Sequence, residues 1–184
     1  MLFAPLEEIR AAGEDESDAA DCPYAAGKTS LWQFPHLVLG AIALFLYVGV
    51  ETLALATAVD YAVSLGLPDP QDYAVWPSIG LVVGYVAGIL LIPKYVSQAA
   101  ALRACCWIGV AGTLLIVSMP AAVSVWAVSF IALACSLIWP AIWPLAMTDL
   151  GRFTKAGGSL LVASIVGGAV VPLAFGLLKD AVGN

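Results

Sequence analysis

Apolar residues fill 37–59 around a single charge, Glu51, and four further apolar runs follow at 73–92, 104–119, 121–147 and 158–178. Short stretches holding prolines, glycines or charges divide them. A helix needs about 20 apolar residues to cross the hydrocarbon core of a bilayer, and runs of this kind suit it. A closed β-barrel would instead show alternating segments of about ten residues, a pattern absent here. The expected fold is therefore all-α: a membrane helical bundle with five transmembrane helices. The weakest division is Ser118-Met119-Pro120, where little more than a proline separates the third run from the fourth.

Composition agrees with this pattern, since 62% of residues are hydrophobic and 11% charged, far below the roughly 25% charged of soluble domains. Six of the seven Lys and Arg residues fall on one predicted side: Arg10, Lys28, Lys94, Arg103, Arg152 and Lys155. Only Lys179 lies on the other. Basic residues gather on cytoplasmic flanks, so the N-terminus is expected inside. Residues 1–33 differ in kind from the rest. Glu7, Glu8, Glu14, Asp15, Glu16, Asp18 and Asp21 outnumber Arg10 and Lys28, which predicts an acidic, flexible cytoplasmic segment. It has neither the basic start nor the apolar core of a signal peptide. Without a basic patch interleaved with aromatics, nucleic acid is excluded as a partner. Cys22, Cys105, Cys106 and Cys135 show no C-x-x-C spacing, so neither a metal site nor a disulfide framework nor a cofactor is expected. No H-E-x-x-H or G-x-S-x-G occurs, and the chain does not read as an enzyme. The one histidine, His36, stands at the mouth of the first run as an interfacial anchor or a proton relay.

Candidate chemistry centres on Glu51. A carboxylate at mid-membrane depth costs a few kcal/mol, so it faces a bundle interior. There it either serves a substrate, an ion or a proton, or stays protonated and locks two helices together. Helical spacing places Tyr47, Glu51, Ala54 and Ala58 on one stripe with Tyr61 near its outer edge, which describes the polar wall of a pocket. Gly80, Gly84 and Gly88 form a smooth face for close helix packing, and Ser164, Gly168, Pro172 and Gly176 form a second. The stretch Trp139-Pro140-Ala141-Ile142-Trp143-Pro144 sets two indoles one turn apart. Two prolines predict a kinked or partly unwound helix around them. Trp139 is the better candidate to stack on the C–H face of a sugar ring.

These residues resemble the fucose, glucose and galactose to proton symporters of the major facilitator superfamily, over nearly all of the chain but only the second half of such a transporter. Leu44-Phe45-Leu46-Tyr47-Val48-Gly49-Val50-Glu51, with Tyr61, is similar to the family's seventh helix. Gly84-Tyr85 through Pro93-Lys94-Tyr95 is similar to the eighth. Trp139-Pro140-Ala141-Ile142, Leu150-Gly151, Thr154-Lys155, Gly167-Gly168, Pro172, Gly176 and Asp180 through Gly183-Asn184 resemble helices ten and eleven. The resemblance implies a twelve-helix, two-half fold in a bacterial inner membrane, with proton-driven sugar uptake through a site between the halves. Substrate-binding roles then fall to Glu51, Trp139, Tyr47 and Tyr61. Glu51 stands where the fucose branch carries Gln, Leu55 replaces an aromatic and Tyr85 replaces an Arg, so the expected substrate is a hexose such as glucose or galactose. With the family's proton carriers on the first half, Glu51 is expected to bind sugar hydroxyls. The chain is expected to be a fragment whose partners are sugar, proton, lipid bilayer and the missing first half. Alternatives are a transporter of another small polar solute and a non-transporting membrane subunit.

Overall fold

The computed structural model describes residues 22–92 and 94–182, so the acids from Glu7 to Asp21 and the Gly183-Asn184 match lie outside the described residues. Helix α1 spans Pro35–Ser64 and α2 Val75–Leu91. Helix α3 spans Gln98–Ser118, α4 Ala121–Ser136 and α5 Ile138–Met147. After a short turn come α6, Thr154–Ala163, and α7, Gly167–Val182, joined by a 3-10 turn over Ser164–Val166. Taking α4 with α5, and α6 with α7, as single spans, five helical stretches among the described residues are long and apolar enough to cross a membrane.

Local chemistry sets each boundary. Pro35 opens α1, where its missing N–H is not needed. The helix outlasts its apolar run by five residues, Asp60 to Ser64, and stops where Gly66 takes φ 66°. There the Gly66 N–H bonds to the Val63 carbonyl at 3.0 Å and Leu67 N–H to Ala62 at 3.2 Å, a Schellman closure that needs a left-handed residue. Ser97 caps α3, its Oγ accepting from the Ala100 N–H at 3.3 Å. Met119 is extended, as a residue before proline must be, which separates α3 from α4 at Ser118-Met119-Pro120. Between α4 and α5 the break falls at Leu137, one turn before the first proline of the Trp-Pro stretch. Pro140 has no N–H for the Ser136 carbonyl, and its ring crowds that carbonyl. Leu137 N–H turns to Cys135 O, and the Ser136 hydroxyl donates to Leu133 O at 2.7 Å in its place.

Packing has two hubs. Helix α4 touches α1, α2 and α3, whereas α1 touches α4, α5, α6 and α7 and meets α2 only lightly. Glycine makes both main crossings close. A Cβ on Gly80 would stand 2.5 Å from the Ser129 carbonyl oxygen, and one on Gly84 or Gly88 would collide with Ser136 or Leu137. Across the α1–α7 crossing, Gly167 lies against the Phe45 carbonyl, Gly49 against Val171, and Gly168 against Val48 and Thr52. Van der Waals contact of this kind, rather than a hydrophobic force, associates helices in lipid. Phe34, Leu37, Leu44, Leu150 and Leu161 are fully buried where α1, α5 and α6 meet. Outward residues such as Leu39, Ile89, Trp107, Val117 and Leu173 are exposed and apolar, the surface that lipid covers.

From Cys22 on, the segment expected to be solvated and flexible is packed: Ala25 and Phe34 are buried, and Cys22 and Leu31 lean on the same core. Its acids all precede residue 22, so what remains is rich in small and aromatic residues with surface to bury.

Candidate functional site

Helix α1 carries Tyr47 and Glu51 one turn apart. Tyr47 is buried, and Glu51, half-buried, follows it one helical turn along the same face. Two other helices bring polar groups toward the same acid. Tyr85 of α2 and the buried Cys135 of α4 both lie within its electrostatic reach. Ala54 and Ala58, buried on the same face of α1, continue it with small side chains. Tyr47 and Cys135 share one core cluster, so a polar patch of phenol, thiol and carboxyl forms in an otherwise apolar bundle, with Tyr85 within electrostatic reach of the acid. Such a patch accepts and donates hydrogen bonds at a depth where lipid offers none.

The remaining candidates are placed differently. Tyr61 lies about 15 Å along α1 from Glu51 at 1.5 Å per residue. Its hydroxyl donates to Ser124 Oγ at 2.9 Å, tying the end of α1 to α4. Trp139 and Trp143 are half-buried and stack, with centroids 5.7 Å apart and planes 18° apart. Trp139 stands one turn beyond Cys135, across the Leu137 break. Gly80, Gly84, Gly88 and Gly168 sit inside helix crossings. His36 donates from Nε2 to the Thr148 carbonyl at 2.9 Å, capping the end of α5.

Tyr85 and Cys135 are the members that sequence reasoning passed over as site residues. The available signal was spacing: Cys135 and Trp139 are i, i+4, and Tyr85 adjoins the Gly84 contact. No group of three or more His, Cys, Asp or Glu suited to a metal occurs among the described residues. Two surface hollows lie away from Glu51. One, about 320 Å³, is lined by Tyr24, His36, Leu145, Thr148 and Asp149. The other, about 480 Å³, is an apolar groove between α1 and α6.

No protein-family model matches the chain. It is 33% identical over 159 residues to the glucose/galactose transporter of Brucella abortus (strain 9-941), covering 84% of this chain and 38% of that protein. With the L-fucose-proton symporter of Escherichia coli (strain K12) it shares 27% identity over 175 residues, covering 93% and 40%. Among solved structures it superposes on the E. coli fucose:proton symporter FucP with a TM-score of 0.74 at 25% identity, over 96% of this chain and 42% of that one. The match to FucP in its outward conformation has a TM-score of 0.77, over 96% and 41%. The chain spans about two fifths of the length of the curated relatives it matches.

Proposed function

Since this chain belongs to the fucose, glucose and galactose to proton symporter family of the major facilitator superfamily, we propose that it forms part of a transporter that takes up a hexose such as glucose or galactose together with a proton. In this reading its N-terminus faces the cytoplasm and the membrane is a bacterial inner membrane. The observation that carries the reading is the half-buried Glu51, an acid within a membrane-spanning helix one turn from the buried Tyr47, whose core cluster includes Cys135 of α4. A hexose presents hydroxyls around its rim and C–H faces above and below. Glu51 accepts from two adjacent hydroxyls, Tyr47 holds the carboxyl in place, Tyr85 offers a further donor, and Trp139 covers a C–H face. Tyr61 closes the far end of this wall through Ser124. The opposite wall belongs to a complementary helical half, and rocking of the halves about the shared site exposes it alternately to each side. The relatives' names, glucose/galactose transporter and L-fucose-proton symporter, support this assignment of substrate class.

The test is Glu51→Gln in the whole transporter that carries this sequence. Hydrogen bonds to a charged acceptor contribute about 1.5–3 kcal/mol, so the substitution is expected to weaken hexose binding roughly 10- to 150-fold. The ratio of protons to sugar carried by the residual activity stays unchanged. Intact hexose binding with uphill accumulation abolished would instead make Glu51 the proton carrier and overturn the assignment.

A further inference from the structure

Charges outside the membrane spans are sorted by end. Lys28, Lys94, Arg103, Arg152 and Lys155 gather at the end where α1 begins. His36, at the start of α1, bonds to Thr148 at the end of α5, and Arg152 Nη2 donates to the Lys28 carbonyl. Helix α2 runs alongside α4 in the same direction, Gly80 by Ser129 and Gly88 by Leu137, so the α2–α3 connection with Lys94 emerges at this end too. Helix α3 starts there and packs on α4 and α5, with Arg103 in its second turn. Lys94, Arg103, Arg152 and Lys155 are exposed. Among the described residues Asp149 is the one acid at this end, while Asp60, Asp69, Asp72 and Asp180 belong to the other.

A face of five bases against one acid needs counter-charge, and the chain carries it. Residues 7–21 hold seven acids, from Glu7 to Asp21, and one base, Arg10. They run directly into Cys22, whose segment is packed on the core at this same end through Ala25 and Phe34. We propose that residues 7–21 dock across the basic face, between the α2–α3 connection and the α5–α6 turn, as its intramolecular counter-ion, and so keep anionic lipid headgroups off these bases. The tether is long enough. Extended, the segment of 15 residues reaches about 50 Å, more than the roughly 30 Å across three adjoining helices. Being tethered, it is held at an effective concentration that a free anion must exceed to displace it. The N-terminus of α3 adds the positive end of its dipole to the same face. Left bare, bases at a cytoplasmic membrane surface collect acidic lipid. The proposal follows from which end the charges share and stands whichever solute the protein carries.

The test uses the whole transporter that carries this sequence, in vesicles of phosphatidylcholine and phosphatidylglycerol. A carbodiimide joins a carboxyl to a lysine amine only where the two touch. Mass spectrometry is expected to find links from residues 7–21 to Lys94 or Lys155, falling roughly fivefold at about 1 M salt, where the screening length is about 3 Å. Mixing isotope-labelled with unlabelled protein separates links within one molecule from links between two. Replacing the seven acids by their amides is expected to raise the phosphatidylglycerol retained per protein in mild detergent roughly threefold. Adding Lys94→Gln and Arg103→Gln to that variant returns retention to the wild-type level. Absence of links to Lys94 and Lys155 at low salt, links indifferent to salt, or links only between molecules would overturn the docking. Equal phosphatidylglycerol in the wild type and the amide variant would overturn the shielding.

Discussion

Trp139 and Trp143 lie ring on ring, so truncating either disturbs both, but unequally. Trp139 is one turn from Cys135 and the polar patch; Trp143 is one turn further away and backs it. Trp139→Ala is expected to weaken hexose binding more than Trp143→Ala, by about 3- to 10-fold, the worth of one well-placed aromatic contact. Binding titrations on the whole transporter measure this, and equal losses would mean that the pair acts only through the bend at Leu137. At this scale the sequence is readable where partners are local. Tyr47 and Glu51 share a helix face at i, i+4, and a lone acid in an apolar run announces itself. Tyr85 and Cys135 carried only a spacing signal, because their approach to Glu51 depends on how α2 and α1 settle against α4. Tyr61 illustrates the same limit: its stripe was evident, but its partner Ser124 is 63 residues away.

The glycines of the two crossings differ in what they face, and so in what a substitution costs. A Cβ at Gly167 would strike the Phe45 backbone carbonyl, which cannot move aside without displacing α1, whereas one at Gly176 meets nothing within 4 Å. Gly167→Ala is expected to destabilise by about 1–3 kcal/mol, the usual range for overpacking. Gly176→Ala stabilises by roughly 0.5–1 kcal/mol through backbone entropy. Unfolding in mild detergent compares the two, and similar values would refute the crossing geometry. Helix number and the Pro120 division were legible because apolar run length and proline act locally. Helix ends were less so. The first and last spans reach Ser64 and Val182, beyond their apolar runs, because hydropathy reports depth in lipid while caps decide where the backbone stops coiling. The bend fell at Leu137 because a proline's effect is felt at the carbonyl four residues earlier.

At the scale of the molecule, two glycine-lined crossings and two hub helices form the body that carries the polar patch. Inserted in a membrane by itself, the chain is expected to show no proton-coupled hexose uptake above background, because one wall of a site cannot alternate between two openings. Co-expression with a complementary first half together with a twelfth helix is expected to restore it, and uptake by the 184-residue chain alone would refute the two-walled mechanism. The α1–α7 crossing also has a consequence in time. Synthesis at about 5–20 residues per second means that the roughly 120 residues between Phe45 and Gly167 take on the order of ten seconds to follow. Through that interval α1 waits in lipid without its main partner, holding an acid. The helix brings its own answers: Tyr47 stands one turn from Glu51, and Thr52 donates to the Val48 carbonyl at 2.7 Å. Tyr47→Phe is therefore expected to disfavour membrane insertion of the isolated α1 segment by about 0.6 kcal/mol, a typical value for one intramembrane hydrogen bond. A glycosylation-mapping insertion assay reads this directly, and an unchanged inserted fraction would refute it. On this view the phenol beside Glu51 is needed at birth, before any substrate is met, as an escort that travels on the same helix.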